Sequence, residues 1–382
     1  MSVNPEIVHI RAIGDDPQGI ADWLRVPKLV HADDPLHVIQ PDKQERHRIS
    51  RAHNPYLAIA EAAFFVCYRD GVPVGRISAQ YDPRLKADDG EVIGQFGFAD
   101  FIQDQRVADA LVAQARSWLR ERGARQMRGP FNLSINQECG CLVEGFETAS
   151  AIMMPRSRPW TGPMLERCGL SKAMDLLAYR VVPQELPDRL LEIASRAEAG
   201  GAINVRPVDT KNLATEFELL GRIFNDGWQA NWGFLPFTKA ELDFFVRELK
   251  PIIRPDYGFF VEIEGRPVGV MMALPNINET IAPFRGKFGL INTIKLGWSV
   301  YREKTKTARV LILGIGREYQ GGGLGAALVV RMLDKLIARM KRYNLAWVEF
   351  SWVLEENGPA VAVLEASGAK AVKRYRIYHA SQ

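Results

Sequence analysis

The segment Arg309-Val310-Leu311-Ile312-Leu313-Gly314-Ile315-Gly316-Arg317-Glu318-Tyr319-Gln320-Gly321-Gly322-Gly323-Leu324-Gly325-Ala326-Ala327-Leu328 passes from an apolar strand into a glycine cluster and then into a helical pattern. Glycines let a backbone turn tightly and approach a ligand without Cβ clashes. Free amides at a helix start, with the positive end of the helix dipole, suit a phosphate or pyrophosphate. Two common phosphate-binding spacings do not fit. No Lys-Ser/Thr follows the glycines, and a GxGxxG frame opened at Gly314 and Gly316 puts its third glycine on Tyr319. A loop that only packs helix on strand is the plain alternative.

Working outward, the chain repeats itself. Phe64-Phe65-Val66-Cys67-Tyr68-Arg69-Asp70-Gly71-Val72-Pro73-Val74-Gly75 recurs, one residue shorter, as Phe259-Phe260-Val261-Glu262-Ile263-Glu264-Gly265-Arg266-Pro267-Val268-Gly269. Both read as hairpins with turns at Asp70-Gly71 and Glu264-Gly265. Upstream, Ile10-Arg11-Ala12 is echoed by Val205-Arg206-Pro207. Downstream, Leu165-Glu166-Arg167-Cys168-Gly169 is echoed by Leu364-Glu365-Ala366-Ser367-Gly368, two helix ends closed by glycine. Three matches in one order predict a duplication. Each half then carries a long amphipathic helix, over 104–122 and 323–343, the second with Val329, Leu333, Leu336, Ile337 and Met340 on one face. The expected fold class is α/β with a mixed sheet (α+β), in two tandem domains, 1–183 and 184–382. The join falls in the Pro-bearing stretch Val182 to Pro187, followed by a polar helix ending at Gly200-Gly201.

Composition sets the outer limits. The 382 residues, 47% hydrophobic and 25% charged, are those of a globular chain with no need of a disulfide or metal staple. A net charge of +4, dispersed along the chain, argues against nucleic acid as a partner. No signal peptide and no membrane span are read, and the four cysteines form no CxxC pair, so a cytoplasmic location with reduced thiols is expected. His9, His31, His37, His47 and His53 crowd the first 53 residues without metal-ligand spacing, and no metal is expected.

Gln320-Gly321-Gly322-Gly323-Leu324-Gly325 matches the Q/R-x-x-G-x-G/A signature, and Asn357-Gly358-Pro359-Ala360 followed by Val363 to Ala369 matches a second motif after the strand Trp347 to Val353. On these residues the second half, from about Ile203 onward, resembles the GNAT superfamily of acyl-CoA-dependent N-acyltransferases. The tandem arrangement is similar to that of mycothiol synthase and N-myristoyltransferase. The resemblance implies acetyl-CoA or another acyl-CoA as co-substrate. It places the pyrophosphate on the amides of Gln320, Gly321, Gly322, Gly323, Leu324, Gly325 and Ala326, and the pantetheine arm along Leu313, Gly314 and Ile315, with Asn357 near the arm. A bulky residue at Gly323 or Gly325 is then expected to abolish CoA binding and spare the fold. The expected reaction moves an acetyl or other acyl group to a small-molecule or peptide amine, in a monomer or homodimer.

The departures from the family pattern are specific. Leu364 stands where many relatives have a tyrosine that protonates the leaving thiolate, and an aliphatic chain cannot do so. Tyr319, Tyr375 and Tyr378 are the substitutes considered, with Tyr375 retained as a catalytic candidate. Glu349 is the candidate general base, because strand alternation puts it on one face with Ser351 and Val353. The first half has Phe101-Ile102-Gln103-Asp104-Gln105 in place of the glycine turn, with an acid where an anion would bind. Its polar run Arg128 to Gly140 reads either as cleft lining or as an ordinary loop, and residues 276–307 as a long insertion. A non-catalytic acyl-CoA sensor is the alternative function. A transferase using aminoacyl-tRNA is disfavoured by the retained glycine turn.

Overall fold

The computed structural model describes residues 8–87, 90–198, 203–302 and 304–381. It divides into two compact units that are not contiguous halves: Met1–Asp175 with Arg374–Gln382, and Leu176–Lys373. In chain order the first part holds β1 (Val8–Ile13), α1 (Pro17–Val30), α2 (Asp42–Ile49), β2 (Glu61–Arg69), β3 (Val72–Lys86), β4 (Val92–Phe101) and α3 (Gln105–Arg120). After these come β5 (Gln126–Gly129), β6 (Phe131–Asn132), β7 (Glu138–Cys139), β8 (Cys141–Glu144), α4 (Thr161–Arg167) and β9 (Ser171–Val181). The second part holds α5 (Asp188–Glu198), β10 (Ile203–Pro207), α6 (Leu213–Trp228), α7 (Lys239–Leu249), β11 (Gly258–Ile263) and β12 (Arg266–Pro275). It continues with α8 (Asn278–Ile281), α9 (Leu290–Tyr301), β13 (Thr307–Ile315), α10 (Gly322–Tyr343), β14 (Trp347–Leu354), α11 (Gly358–Ala366) and β15 (Lys370–Ser381).

The duplication predicted from the hairpins is present in the topology. The first unit's sheet runs β1-β2-β3-β4-β5-β15, and the second unit's runs β10-β11-β12-β13-β14-β9. In each, every pairing is antiparallel except one: β4 with β5, and β13 with β14. Asp70-Gly71 and Glu264-Gly265 both adopt positive φ, at 51° and 75° and at 50° and 77°. Two successive left-handed residues make the tight hairpin turn whose twist matches the flanking strands. Gly169 and Gly368 close α4 and α11 at φ of 81° and 84°.

The boundary at residue 183 does not coincide with these units, because the last strand of each sheet comes from elsewhere in the chain. Tyr378 to Ser381 pair with Gln126 to Gly129 in the first unit. Residues 176–181 of β9 pair with β14 in the second. α5 is a helix over Asp188–Glu198, while the Gly200-Gly201 end lies outside the described residues. The α10 face holds: Leu333, Leu336, Ile337 and Met340 are buried and Val329 is partly so. Leu328, Val330 and Met332 are buried as well, since α10 also packs against Leu190 and Ala194 of α5.

Candidate acyl-CoA site

The site begins where a pairing stops. β13 and β14 are in register from Thr307 with Trp347 to Val310 with Phe350, and go no further. On its other side β13 stays paired with β12 as far as Ile315 opposite Gly269. Leu311 to Ile315 therefore present one backbone edge without a strand partner, and Leu311, Ile312 and Leu313 become half-exposed there. An unpaired strand edge offers N–H and C=O groups to an extended ligand.

Beyond that edge the chain makes one 3-10 turn, Arg317–Tyr319, and enters α10 with Gly321 as N-cap. No side chain caps this helix and no acid lies in its first turn. A Cβ on Gly321 or Gly323 would meet nothing within 4 Å, so the space over the first turn is open. First-turn amides that no side chain caps, facing open space at Gly321 and Gly323, fit an anionic diphosphate. Gly325 differs from Gly323. A Cβ there would meet the carbonyl oxygens of Tyr319 at 2.8 Å and Gln320 at 3.2 Å, so this glycine shapes the turn and its replacement would move it.

The end of α6 holds the turn in place, a role that motif reading missed. Asp226 Oδ2 accepts from the Arg317 amide at 2.7 Å. Gln320 donates through Nε2 to the carbonyls of Gly227 (2.7 Å) and Ile315 (2.8 Å), so its side chain is a staple for the turn. Trp228 Nε1 donates to the Leu313 carbonyl at 3.1 Å, which occupies one acceptor of the open edge. Its ring stacks on Phe224 and meets Trp352 of β14 edge-on at 5.6 Å. A glycine followed by tryptophan near a helix end was the available signal. A Cβ at Gly227 would lie 2.3 Å from the Ile315 carbonyl oxygen. Gly227→Ala is accordingly expected to push α6 off the turn, destabilise the second unit by about 1–3 kcal/mol and weaken CoA binding. Denaturant melts and calorimetry would check both, and an unchanged melt would remove α6 from this role.

The remaining candidates are placed less favourably for chemistry. Asn357 caps α11, its Oδ1 accepting from the Ala360 amide at 3.2 Å. Leu364 is buried in the core at 1% exposure. Tyr375 is fully buried, belongs to the first unit and pairs through its backbone with Leu142 of β8. It is therefore counted with the first unit, whereas the glycine turn belongs to the second. Tyr378 is likewise in the first unit, its hydroxyl donating to Glu166 at 3.3 Å. Tyr319 sits in the turn, where the hydrogen bond to Glu318 raises its phenol pKa.

Glu349, the candidate base, is enclosed. It is 0% exposed, in the paired part of β14, with Oε2 accepting from Arg180 at 3.1 Å and Oε1 from Ser351 at 3.0 Å. Alternation suggested one open face, whereas Val348, Glu349, Phe350 and Ser351 are all buried. The guanidinium and the hydroxyl take about two of the roughly four acceptor sites of the carboxylate, so it is the full burial of Glu349 that keeps solvent from it.

The first unit closes the equivalent opening with its own chain. β4 and β5 are in register only from Ile93 with Gln126 to Gln95 with Arg128. Past that point Asn132 Oδ1 takes the Phe98 amide at 2.7 Å, and Gln80 donates to the carbonyls of Phe131 and Leu133. A Cβ at Gly97 would lie 1.7 Å from the Phe131 oxygen. The polar run thus forms an internally bonded β6–β7 pair, with Glu138 accepting from Asn132 and Arg48. Asp104 caps α3 through the Arg106 amide at 3.0 Å, and hydrogen bonding from Arg106 lowers its pKa. Here a carboxylate stands where α10 has no side-chain cap. Among the described residues no cluster of His, Cys, Asp and Glu could hold a metal ion.

Two stretches, residues 27–128 and 217–369, match the model of the acetyltransferase (GNAT) family, one in each unit. The chain belongs to the GNAT family. It is 35% identical over 93% of its length to protein YghO of Escherichia coli (strain K12), 91% of which is covered. It is 34% identical over 95% of its length to a bacterial ceramide synthase of Caulobacter vibrioides, 94% covered. In fold it is similar to a tandem GNAT protein from the clavulanic acid biosynthesis pathway, at a TM-score of 0.53 with 98% of each chain covered and 13% identity. A GCN5-related N-acetyltransferase from Sphaerobacter thermophilus matches at 0.51, covering 98% of this chain and 95% of its own, with 12% identity. Two family matches in series and a tandem neighbour establish a tandem GNAT protein of mixed α/β fold. The family transfers acyl groups, generally from acetyl-CoA or another acyl-CoA, to small-molecule or peptide amines.

Proposed function

We propose that the second unit is an acyl-CoA-dependent N-acyltransferase and that the first, its slot filled and its helix capped, has no CoA site. The observation that carries this is the loss of β13–β14 pairing after Val310, directly before an uncapped glycine turn. In this reading the pantetheine arm lies along Leu313, Gly314 and Ile315, and the pyrophosphate on the amides from Gln320 to Ala326, with Asn357 at the arm. A neutral amine attacks the thioester carbonyl, a C–N bond forms as the C–S bond breaks, and the amine proton passes to the thiolate or to solvent. A backbone amide near Ile315 would stabilise the oxyanion. Glu349 and Tyr375 would act as structural groups in it.

The likeness to a protein named bacterial ceramide synthase directs the acceptor search to long-chain amino alcohols, since a ceramide is an N-acylated amine of that type. The test is thiol release from acetyl-CoA and long-chain acyl-CoA against small amines, peptides and long-chain amino alcohols. Turnover confined to the last class would support the acceptor assignment. The buried Leu364 in place of a proton donor favours one other reading, a sensor that binds acyl-CoA without turnover. Tight calorimetric CoA binding with no thiol released for any acceptor would establish it.

A further inference from the structure

We propose that α9 docks this protein on the surface of an anionic lipid bilayer. This goes beyond the acyl-transfer reading and does not depend on it. Among the described residues eight large apolar side chains are exposed, and five of them lie on this one helix: Leu290 (77%), Ile291 (71%), Ile294 (61%), Trp298 (54%) and Tyr301 (74%). At about 100° per residue these five fall within an arc of roughly 100°. Scattered exposed apolar residues need no explanation, but a contiguous face of this kind marks an interaction surface.

The helix is fixed with that face outward. On the opposite side Ser299 is buried, its hydroxyl 2.8 Å from that of Thr280. Arg254 Nη2 donates to the Val300 carbonyl at 2.6 Å. The arc is therefore anchored from behind and not left over from a loose insertion.

Charge decides what covers it. Between residues 285 and 306 stand six basic residues, Arg285, Lys287, Lys295, Arg302, Lys304 and Lys306, all exposed, against the single acid Glu303. Lys295 sits at the edge of the arc, and the Arg302 guanidinium lies 5.4 Å from the Trp298 ring centre. An apolar face bearing Trp and Tyr and rimmed by cations is complementary to a bilayer interface, where rings and alkyl chains enter the acyl boundary and cations meet anionic headgroups. A symmetric contact between two copies would instead set the same cations against each other. The helix does not span: twelve residues cover only about 18 Å of a hydrocarbon core of about 30 Å. No helix among the described residues is long and apolar enough to cross a membrane.

The experiment is flotation of the full chain with two kinds of vesicle, phosphatidylcholine alone and equal parts phosphatidylcholine and phosphatidylglycerol. The protein should float with the anionic vesicles, less so at high salt, and poorly with the neutral ones. Ile294→Asp with Trp298→Ser should cut the bound fraction at least about tenfold with an unchanged thermal melt, since both side chains are exposed. Lys287→Gln, Lys295→Gln and Lys304→Gln together should weaken binding to anionic vesicles only. Failure of the wild-type chain to float, or equal flotation of the Ile294/Trp298 variant, would overturn the proposal. So would a dimer in light scattering that the same variant dissociates while the wild type ignores vesicles, because the face would then belong to a second copy.

Discussion

Gly321→Asp should abolish acyl-CoA binding while leaving the protein at least as stable as it was. Gly321 is the N-cap of α10 with φ of −75° and ψ of 149°, an extended conformation open to any residue, and a Cβ there meets nothing. An aspartate at this position can accept from a first-turn amide, as Asp104 does at the start of α3. Relative to glycine that gain is a few tenths of a kcal/mol. The same carboxylate would occupy the amides proposed for the pyrophosphate and repel its charge. Loss of two charge-assisted hydrogen bonds at about 1.5–3 kcal/mol each corresponds to a hundredfold or greater loss of affinity. The opposed signs make the experiment decisive, because a misfolded variant would lose both quantities together. Calorimetry with CoA beside a thermal melt reads both. Retained affinity would move the pyrophosphate away from this turn. Gly323→Ala, into equally open space, should have a small effect, and Gly325→Ala a larger one that includes lost stability.

The two halves of this prediction were unequally visible in the sequence. The hairpin turns were legible because their chemistry is local: Asp-Gly and Glu-Gly pairs take up the positive φ that the turn demands. The face of α10 was legible through its 3.6-residue period, although burial against α5 as well as the sheet widened it. The glycine turn, and the acid at Asp104 that stands in its place in the first half, could be read for the same local reason. What stayed hidden was non-local. No periodicity shows that Tyr378 to Ser381 complete the first sheet, and that pairing is what takes Tyr375 out of the second unit. The Gly227-Trp228 pair marks a helix end, but nothing local shows the Leu313 carbonyl that lies against the indole. For α9 the insertion was evident, but only the burial of Ser299 shows which side faces out.

Glu349 is fully buried in the paired part of β14, and its removal should cost stability before it touches catalysis. β13, β14 and β9 place Arg309, Glu349 and Arg180 in register, a cation, an anion and a cation across three strands. Arg309 is 4% exposed and bonds the carbonyl and hydroxyl of Ser351, whose hydroxyl in turn donates to Glu349. Arg180 is stacked over Trp347 at 4.0 Å and keeps some solvent. Glu349→Leu leaves the Arg180 guanidinium without its carboxylate and the Ser351 hydroxyl, which Arg309 holds, without its acceptor. Breaking a buried ion pair by removing one partner costs about 3–5 kcal/mol, which a urea midpoint would register as a large downward shift. If Glu349 were instead the base, Glu349→Gln would leave the midpoint near the wild-type value while turnover collapsed and the acidic limb of its pH–rate profile disappeared. Under the structural role Glu349→Gln keeps the shape of that profile, and lost activity follows lost fold. Arg180→Met combined with Glu349→Leu should be less damaging than Glu349→Leu alone, since the pair is then replaced and not broken. A double variant no more stable than the single would mean that Arg309 is the cation that matters, and that β13 and β14 are held together at the point where the slot opens by the Arg309–Ser351–Glu349 chain.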